Sequence, residues 1–533
     1  MRFFGWSIPA AAAAAALVGG MLAAPPAHAV VGGSEVGGEG DWMVQVHVTL
    51  PDGTKRLCGG AAVGGNLKVL TSAGCVAGAK EIRVASGLAR LATDSDWPPQ
   101  LDDVAIPGSE AELSWVHPQY EPATGRNDVA LVSALGHLNT HVTVRLTTSD
   151  DTASYAPGTP ATFRGWGSTS GTSSKPAPSV REATLPLRAD AECATALGAA
   201  WEPGRMFCAG EPATGADTGT VAPCTGDEGG PLVVRGRLVG IYSRGTGPGC
   251  TSEGGQAVFT KVSAFVGELA PRIQATSLDG DARADLFAMT PDGKAYHYNS
   301  TGSGLSAPVR QRELPSTYTR FRQADLDGDG AQDHIFRDAA GDLYWRHWAV
   351  VEIDSWGYPE SYEEYTTKLG SGFNAMRSIT VPGDVTGDGT PDIVTVDADG
   401  VQWVYPFKAP WGGLLPRIKT GTGWGSLTSF GSGDYTGDGK PDLLTRDTAG
   451  KLWLYQGTGI GATPWKNRVQ IGTGWNYTAY AASGDANGDA KADFFVRDAD
   501  GVLWLYKGTG NLAAPLHNRV KVGSGWNAYN LIG

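Results

Sequence analysis

The sequence has no excess of positive charge and, after its first 29 residues, no long apolar run. Its 42 lysines and arginines are outnumbered by 55 aspartates and glutamates, which gives a formal net charge of −13. An acidic chain is poorly suited to nucleic acid or to an anionic membrane surface, so neither is expected as a partner. No later segment is apolar enough to cross a bilayer, and a length of 533 residues predicts more than one domain.

Cysteine is scarce, and it is absent from the second half. All six cysteines precede residue 251. Arg2, an Ala-rich apolar run and the small-x-small sequence Ala27-His28-Ala29 together indicate a secretory signal peptide over residues 1–29. A membrane anchor is the alternative, but the run is short and interrupted by Gly and Pro. We therefore expect a secreted, extracellular protein with disulfides, whose pairing the sequence alone leaves open.

From residue 30 onward, short β-branched runs alternate with Gly, Pro and Asp turns, which is an all-β pattern. Several motifs follow in order: VVGG at 30–33, CGG at 58–60, TSAGC at 71–75, HPQY at 117–120, NDVAL at 127–131, MFCAG at 206–210 and TGDEGGPLV at 225–233. Residues 30–275 thereby resemble the chymotrypsin/trypsin family of serine proteases (peptidase S1). The resemblance implies a double Greek-key β-barrel with its site between the barrels. It also implies the disulfides Cys58–Cys75, Cys193–Cys208 and Cys224–Cys250.

Two of the three catalytic positions of that family are substituted. Gly74 stands where the family has its histidine and Glu228 where it has its serine, while Asp128 matches the triad aspartate. Acyl transfer needs a nucleophile, a base and a group that orients the base. Losing the nucleophile or the base costs about a million-fold in kcat. We therefore expect an inactive homologue, a pseudoprotease. The alternative is an active serine-type endopeptidase, which the overall resemblance alone would favour.

Three further features follow from the resemblance. The N–H groups of Gly226 and residue 228 would form the oxyanion hole, so the Glu228 carboxylate either folds into this hole or is exposed to solvent. The α-amine of Val30, once freed, would pair with Asp227. The specificity pocket would be lined by Ala222, Ser243, Gly245 and Ala257. Because Ala222 replaces an aspartate on the pocket floor, no preference for Lys or Arg is expected, but an extended peptide can still bind by strand addition.

The sequence repeats from residue 276 to 533. Each unit has an Asp-rich loop, an apolar strand, a polar turn and an aromatic strand, and the loops open at Ser277, Asp325, Asp384, Asp434 and Asp485. Oxygen-bearing residues at alternate positions with a Gly between them are suited to a hard cation, and the pattern resembles the FG-GAP/VCBS calcium repeats. The proposed Ca²⁺ ligands are Asp279, Asp281, Asp285, Asp325, Asp327, Asp329, Asp333, Asp384, Thr386, Asp388, Asp392, Asp434, Thr436, Asp438, Asp442, Asp485, Asn487, Asp489 and Asp493. The alternative is a set of Asx-turns without metal.

Each repeat has the length of a four-stranded propeller blade, so we expect a five-bladed β-propeller in which the C-terminal strand completes the first blade. An open stack or another blade count is the alternative. Trp403, Trp453 and Trp504 recur within the blades, and Trp424, Trp475 and Trp526 recur between them. These rings either pack between the blades or form a row of sugar-stacking sites. The expected partner is an extracellular protein, peptide or glycan, and a lectin or adhesion protein is the second alternative function.

Overall fold

The computed structural model describes residues 30–36, 42–64, 68–92, 108–134, 143–273, 283–327, 332–353, 359–408 and 412–533, and the predicted signal peptide lies outside them. The first half is built mainly of short strands. Its elements are β1 (Ser34–Glu35), β2 (Met43–Thr49), β3 (Lys55–Ala62), β4 (Lys68–Thr71), α1 (Ala73–Val76), β5 (Glu81–Ser86), β6 (Gly108–Val116), β7 (Ala130–Ala134), β8 (Arg145–Leu146), β9 (Pro160–Gly165), β10 (Arg181–Pro186), α2 (Asp190–Leu197), β11 (Met206–Ala209), β12 (Pro231–Val234), β13 (Arg237–Gly245), β14 (Ala257–Lys261) and α3 (Val266–Ile273).

Two β-sheets make up this half. Strands β2, β3, β4, β7, β6 and β5 form a closed barrel, filled by apolar side chains such as Val44, Val46 and Val132. The second sheet runs β1-β10-β9-β12-β13-β14-β11, and β8 pairs with β13. A bridge between Leu187 and Ala209 joins the end of β10 to β11 and draws the two ends of this sheet together.

Disulfides connect these strands to the neighbouring segments. The bonds are Cys58–Cys75, Cys193–Cys208 and Cys224–Cys250, so the predicted pairing is confirmed. Each cross-link restricts the unfolded chain and stabilises the fold by about 2–4 kcal/mol. The first of them fixes α1, which carries Gly74, against β3.

The second half consists of four-stranded antiparallel sheets. Its strands are β15 (Leu286–Met289), β16 (Ala295–Tyr298), β17 (Val309–Arg310), β18 (Tyr318–Ala324), β19 (Asp333–Asp338), β20 (Leu343–Ile353), β21 (Pro359–Gly370), β22 (Met376–Gly383), β23 (Asp392–Asp397), β24 (Gln402–Tyr405), β25 (Ile418–Gly421), β26 (Thr428–Phe430), β27 (Leu443–Arg446), β28 (Leu452–Tyr455), β29 (Val469–Gly472), β30 (Ala479–Gly484), β31 (Asp493–Arg497), β32 (Leu503–Tyr506), β33 (Val520–Gly523) and β34 (Leu531–Ile532).

Strand pairing groups these strands into five sheets within the described residues. Four sheets use consecutive strands, β18–β21, β22–β25, β26–β29 and β30–β33, and the fifth joins β34 to β15, β16 and β17. The first strands of neighbouring sheets contact one another, and β34 contacts both β18 and β30. These sheets are consistent with propeller blades, and the last strand completes the first sheet as predicted.

The recurrent tryptophans occupy two environments. Trp424, Trp475 and Trp526 are only 8, 6 and 6 % exposed and pack among apolar residues between the sheets. Sugar stacking on these three rings is therefore contradicted, because no ring face is open to a ligand. Each indole lies against the first glycine of the Gly-x-Gly turn that precedes it. A Cβ on Gly421, Gly472 or Gly523 would lie 3.1, 2.3 or 3.3 Å from the indole nitrogen.

A second set of tryptophans holds the outer strands of three blades together. In the clearest case Trp453 donates its indole N–H to Asp447 at 3.0 Å, and the Arg468 guanidinium lies 4.1 Å from its ring centroid. The same arrangement recurs at Trp403 with Asp397 and Arg417, and at Trp504 with Asp498 and Arg519. One ring face of each indole is thus covered by a cation, which stabilises the blade edge.

Candidate functional site

A cleft of about 640 Å³ separates the two sheets of the first half. It brings together Gly74, Asp128, Gly226 and Glu228, the residues that the sequence motifs single out. Gly74 lies in α1 at the end of the first barrel, and Glu228 lies in the loop that leads into β12. The elements of both sheets therefore converge on one site.

Asp128 is held by groups on both sides of the cleft. Its Oδ1 accepts the Gly74 N–H at 2.7 Å, and its Oδ2 accepts the Ser243 hydroxyl at 2.5 Å. Burial raises the pKa of this carboxyl, while the hydrogen bonds from Ser243 and Gly74 oppose the rise. No imidazole lies beside Asp128, because Gly74 stands at the histidine position. The Asp128 carboxyl accepts the backbone N–H of Gly74 instead.

Tyr120 occupies the space beside Gly74. A Cβ atom at position 74 would lie 2.9 Å from the Tyr120 hydroxyl and 3.5 Å from Asp128 Oδ1. Burial, followed by the charge of Asp128, raises the pKa of Tyr120 to about 12, so the hydroxyl stays protonated at neutral pH. The sequence reasoning did not assign Tyr120 a role, although the HPQY motif that contains it lies only eight residues before Asp128.

The Glu228 carboxylate turns back onto its own loop. Its Oε2 accepts the Gly226 N–H at 2.8 Å. The hydrogen bonds from the backbone N–H groups of Glu228 and Gly226 lower the pKa of the carboxyl. Burial raises the pKa of this carboxyl against those two donors. Of the two alternatives for Glu228, the structure has the carboxylate in the concavity between the N–H groups.

The backbone at this loop is fixed by close contacts. The Glu228 carbonyl accepts the Gly59 N–H at 2.8 Å, and a Cβ on Gly229 would lie 2.2 Å from Thr71 Oγ1. Position 229 also has a φ of +81°, which favours glycine. The loop therefore keeps its N–H groups aimed into the cleft, with a carboxylate rather than a hydroxyl between them.

The predicted specificity pocket is nearly filled. Ala222, Gly245 and Ala257 line a cavity of only about 10 Å³, around the volume that one water molecule requires. Ser243 does not line this cavity. It lies at the Asp128 end of the cleft, because its hydroxyl is directed at that carboxylate. The space therefore suits a group of about the size of one water molecule, and a large side chain does not fit there.

Asp227 is fully buried behind the cleft. Its two oxygens accept the N–H groups of Gly167 and Cys224 at 2.8 and 2.9 Å. Burial raises its pKa to about 7. Val30, its predicted partner, is buried in the core of the second sheet. Their ion pair requires a free amine at Val30 and stays a prediction.

The described histidines of the first half, His47 and His117, do not line the cleft. His47 is partly buried, and this burial lowers its pKa to about 4. His117 packs edge-on against Phe265 and lies 3.4 Å from Glu268. His137 and His141 lie outside the described residues, and no described histidine lines the cleft.

The Asp-rich loops of the second half form a second group of candidate sites. Two of them bring three carboxylates within 4.8 Å of one another: Asp325, Asp327 and Asp333 in one, and Asp434, Asp438 and Asp442 in the other. This spacing suits a central Ca²⁺, whose oxygen ligands lie about 2.3–2.6 Å away. The donor set contains only oxygen, so these residues fit a hard cation.

The loops that open at Asp384 and Asp485 also bring several carboxyl groups close together. Burial and the neighbouring loop carboxylates raise the pKa of Asp392 and of Asp493 to about 8. Backbone N–H groups donate to Asp384, Asp434 and Asp485, as in an Asx-turn. The Oδ1 of each of these aspartates accepts at least two N–H groups, whereas its Oδ2 accepts one, from Gly389, Gly439 or Ala490. The turns therefore shape the loop and leave a lone pair on Oδ2 for a cation.

The other predicted ligands either form hydrogen bonds or lie outside the described residues. The hydroxyls of Thr386 and Thr436 lie 3.5 and 3.2 Å from the first aspartate of their own loops, and the Asn487 amide donates to Asp493 at 2.9 Å. Asp285 accepts the Ser300 N–H. Asp279, Asp281 and Asp329 lie outside the described residues.

Comparison with known proteins agrees with this geometry. A profile for the family "Trypsin" matches residues 30–267, and one for "FG-GAP-like repeat" matches residues 384–445 and 434–496. "Trypsin" of Saccharopolyspora erythraea is 35 % identical over 247 residues, covering 45 % of this chain and 98 % of that relative. The chain belongs to the trypsin family.

Longer relatives match over the same region. "Serine protease 56" of Homo sapiens is 31 % identical over 274 residues, or 50 % of this chain and 42 % of the relative. "Coagulation factor XI" of Bos taurus is 30 % identical over 249 residues, or 44 % of this chain and 36 % of the relative. The match thus spans less than half the length of these two proteins. In the described part of the trypsin-family chain, no helix has the length and apolarity to cross a membrane.

The raised pKa of Asp227 predicts a pH-dependent stability. A carboxyl with a folded pKa of about 7 takes up a proton on folding between pH 4 and 7, so stability falls as the pH rises through that window. A free ammonium at Val30 would lower this pKa and abolish the loss. Urea unfolding measures the free energy of unfolding across this pH window. Over the window, protein that retains residues 27–29 should lose up to about 4 kcal/mol more of this free energy than protein that begins at Val30. Equal pH profiles would contradict the ion pair.

Calcium should stabilise the repeats more at pH 8 than at pH 5, because Asp392 and Asp493 are protonated below their raised pKa and protonated carboxyls bind no cation. At a concentration 100 times Kd, one site adds about 2.7 kcal/mol. The measurement is thermal unfolding by tryptophan fluorescence, with Mg²⁺ and Asp442→Asn as controls that should each weaken the effect. Identical melting with Ca²⁺ and with chelator would argue against the sites.

Proposed function

We propose that this protein is a secreted, non-catalytic member of the trypsin family that binds an extended peptide in its cleft. A five-bladed propeller stabilised by Ca²⁺ would form its second half. The observation that carries the proposal is the Glu228 carboxylate, which accepts the Gly226 N–H in the concavity that would otherwise receive a substrate oxyanion. The three disulfides support an oxidising, extracellular location.

The residues of the cleft give no route to acyl transfer. Gly74 has no group to accept a proton, and the Tyr120 hydroxyl beside it is already protonated at neutral pH because its pKa is about 12. A carboxylate at position 228 is a poor nucleophile toward amides, and the acyl product would be a labile anhydride. Asp128 is therefore left with a structural role, holding Gly74 and Ser243 together across the cleft.

The same cleft retains a surface for a peptide backbone. Arg244 and Gly245 pair with β14 on one side, and no described strand pairs with them on the other. An extended peptide can add there as a further strand. The filled pocket excludes a deeply inserted side chain, so contacts along the backbone and at the rim would determine affinity.

Two arginines mark the rim of the cleft. Arg56, in the first barrel, donates to the Gly74 carbonyl at 3.3 Å, and Arg244, in the second sheet, donates to the Ala123 carbonyl at 3.2 Å. Both lie near enough to Tyr120 to lower its pKa. The acidic groups in the cleft, Asp128 and Glu228, already accept internal hydrogen bonds. The charge available to a ligand is thus positive, which favours a peptide with acidic side chains.

An active serine endopeptidase remains the second candidate, because the chain belongs to the trypsin family. A glycan-binding role has less support, since Trp424, Trp475 and Trp526 are buried.

Acidic peptides should bind more tightly than their amide counterparts. We expect fluorescent eight-residue peptides rich in Asp and Glu to bind about 3- to 10-fold more tightly than matched Asn/Gln peptides, as expected for exposed charge pairs of about 1 kcal/mol. Fluorescence anisotropy measures the affinity. Arg56→Ala or Arg244→Ala should remove most of the difference, whereas Arg310→Ala in the repeats should not. Equal affinity for the two peptides would oppose this assignment.

Restoring hydrolysis should require three changes. Gly74→His and Glu228→Ser replace the missing groups, but the new side chain at position 74 meets the Tyr120 hydroxyl. Adding Tyr120→Phe removes that oxygen. We expect the triple variant to hydrolyse a small acyl ester at least about 10-fold faster than the double variant, and each single variant to be inactive because the triad acts as a unit. Activity of Glu228→Ser alone would show that another base is present.

A further inference from the structure

The Asp-rich loops 384–392 and 434–442, here called the docking loops, contact the trypsin-family half directly. Arg237 donates to the Gly387 carbonyl at 3.1 Å, and Lys440 donates to the Asp150 carboxylate at 2.8 Å. The Ser149 hydroxyl donates to the Asp438 carbonyl. Lys440 is only 6 % exposed, so its ion pair with Asp150 is largely shielded from solvent on the lysine side.

The docking loops approach the trypsin-family half closely at glycines, which have no side chain of their own. A Cβ on Gly267 of α3 would lie 2.3 Å from the Gly437 carbonyl oxygen, and one on Gly439 would lie 2.2 Å from Val266 Cγ1. A Cβ on Gly389 would lie 2.8 Å from the Arg145 side chain. These contacts depend on the path of the loop backbone, because a shift of about 1 Å in either direction produces a clash or a gap.

The residues that shape this backbone are the candidate cation ligands. Asp438 contributes its carboxylate to the cluster with Asp434 and Asp442, and its carbonyl to Ser149. Gly437 and Gly439, which face α3, donate their N–H groups to the Asp434 carboxylate at 2.7 and 2.5 Å. A cation among these carboxylates would cancel their mutual repulsion and fix the segment that the trypsin-family half contacts.

We propose that cation binding in the docking loops holds the trypsin-family half against the repeats, so that removal of Ca²⁺ releases it. This proposal rests on the proposed Ca²⁺ binding and adds a consequence for the arrangement of the two halves. The presentation of the cleft to a large partner would then depend on extracellular Ca²⁺.

A zero-length cross-link tests the proposal on the full mature protein. A carbodiimide activates the Asp150 carboxyl, and the Lys440 amine displaces the urea by-product to form an amide across the interface. We expect mass spectrometry to find this cross-link in Ca²⁺ and at least about 10-fold less of it in chelator. The pair Asp342–Lys368, 2.6 Å apart within one blade, serves as an internal control that should be unchanged.

A variant separates local ion binding from general unfolding. Asp442→Asn should remove the Asp150–Lys440 cross-link even in Ca²⁺ while the Asp342–Lys368 cross-link persists, and Asp327→Asn, outside the docking loops, should retain both. Calorimetric titration with Ca²⁺ alone tests the sites themselves. Binding of Ca²⁺ with an unchanged interface cross-link would overturn the docking proposal only. Absence of Ca²⁺ binding would overturn both the docking proposal and the proposed Ca²⁺ sites.

Discussion

The hydrogen bond from the Gly226 N–H to the Glu228 carboxylate is the contact on which the account of the cleft depends. In a trypsin-like site, paired backbone N–H groups stabilise negative charge that develops during the reaction. Here a carboxyl group of the protein itself accepts the Gly226 N–H. The loop holds Gly229 in close contact with Thr71 and presents the Glu228 carboxyl, not an empty anion site, to a peptide carbonyl.

On the opposite side of the cleft, Gly74 stands where the family has its histidine, and the Tyr120 hydroxyl lies beside it. Removing a side chain usually leaves a cavity, and cavities are destabilising in a well-packed interior. The tyrosine hydroxyl lies where that side chain would project, and Asp128 bonds to the Gly74 N–H instead of to an imidazole. The cleft is thus packed and hydrogen-bonded in its substituted form, which is what a binding surface requires.

The sequence was sufficient for the features that follow from local patterns. The disulfide pairing follows from the resemblance to the trypsin family that the ordered motifs carry. The four-stranded sheets and the completion of the first sheet by β34 follow from the repeat length and from the matching Gly-x-Gly-Trp segments. The position of Tyr120 and the small cavity beside Ala222 did not follow from local patterns, because each depends on side chains from segments far apart in the chain. The contact between the docking loops and α3 could not be predicted for the same reason. For Trp424 the sequence left packing and sugar stacking open, and its burial agrees with packing.

The most direct test is reaction of the purified mature protein with a fluorophosphonate probe, together with incubation with a peptide library analysed by mass spectrometry. The account predicts no labelled residue in the cleft and no cleavage products above those of a buffer control. A probe adduct in the cleft, or peptide turnover that a covalent serine-protease inhibitor stops, would contradict it.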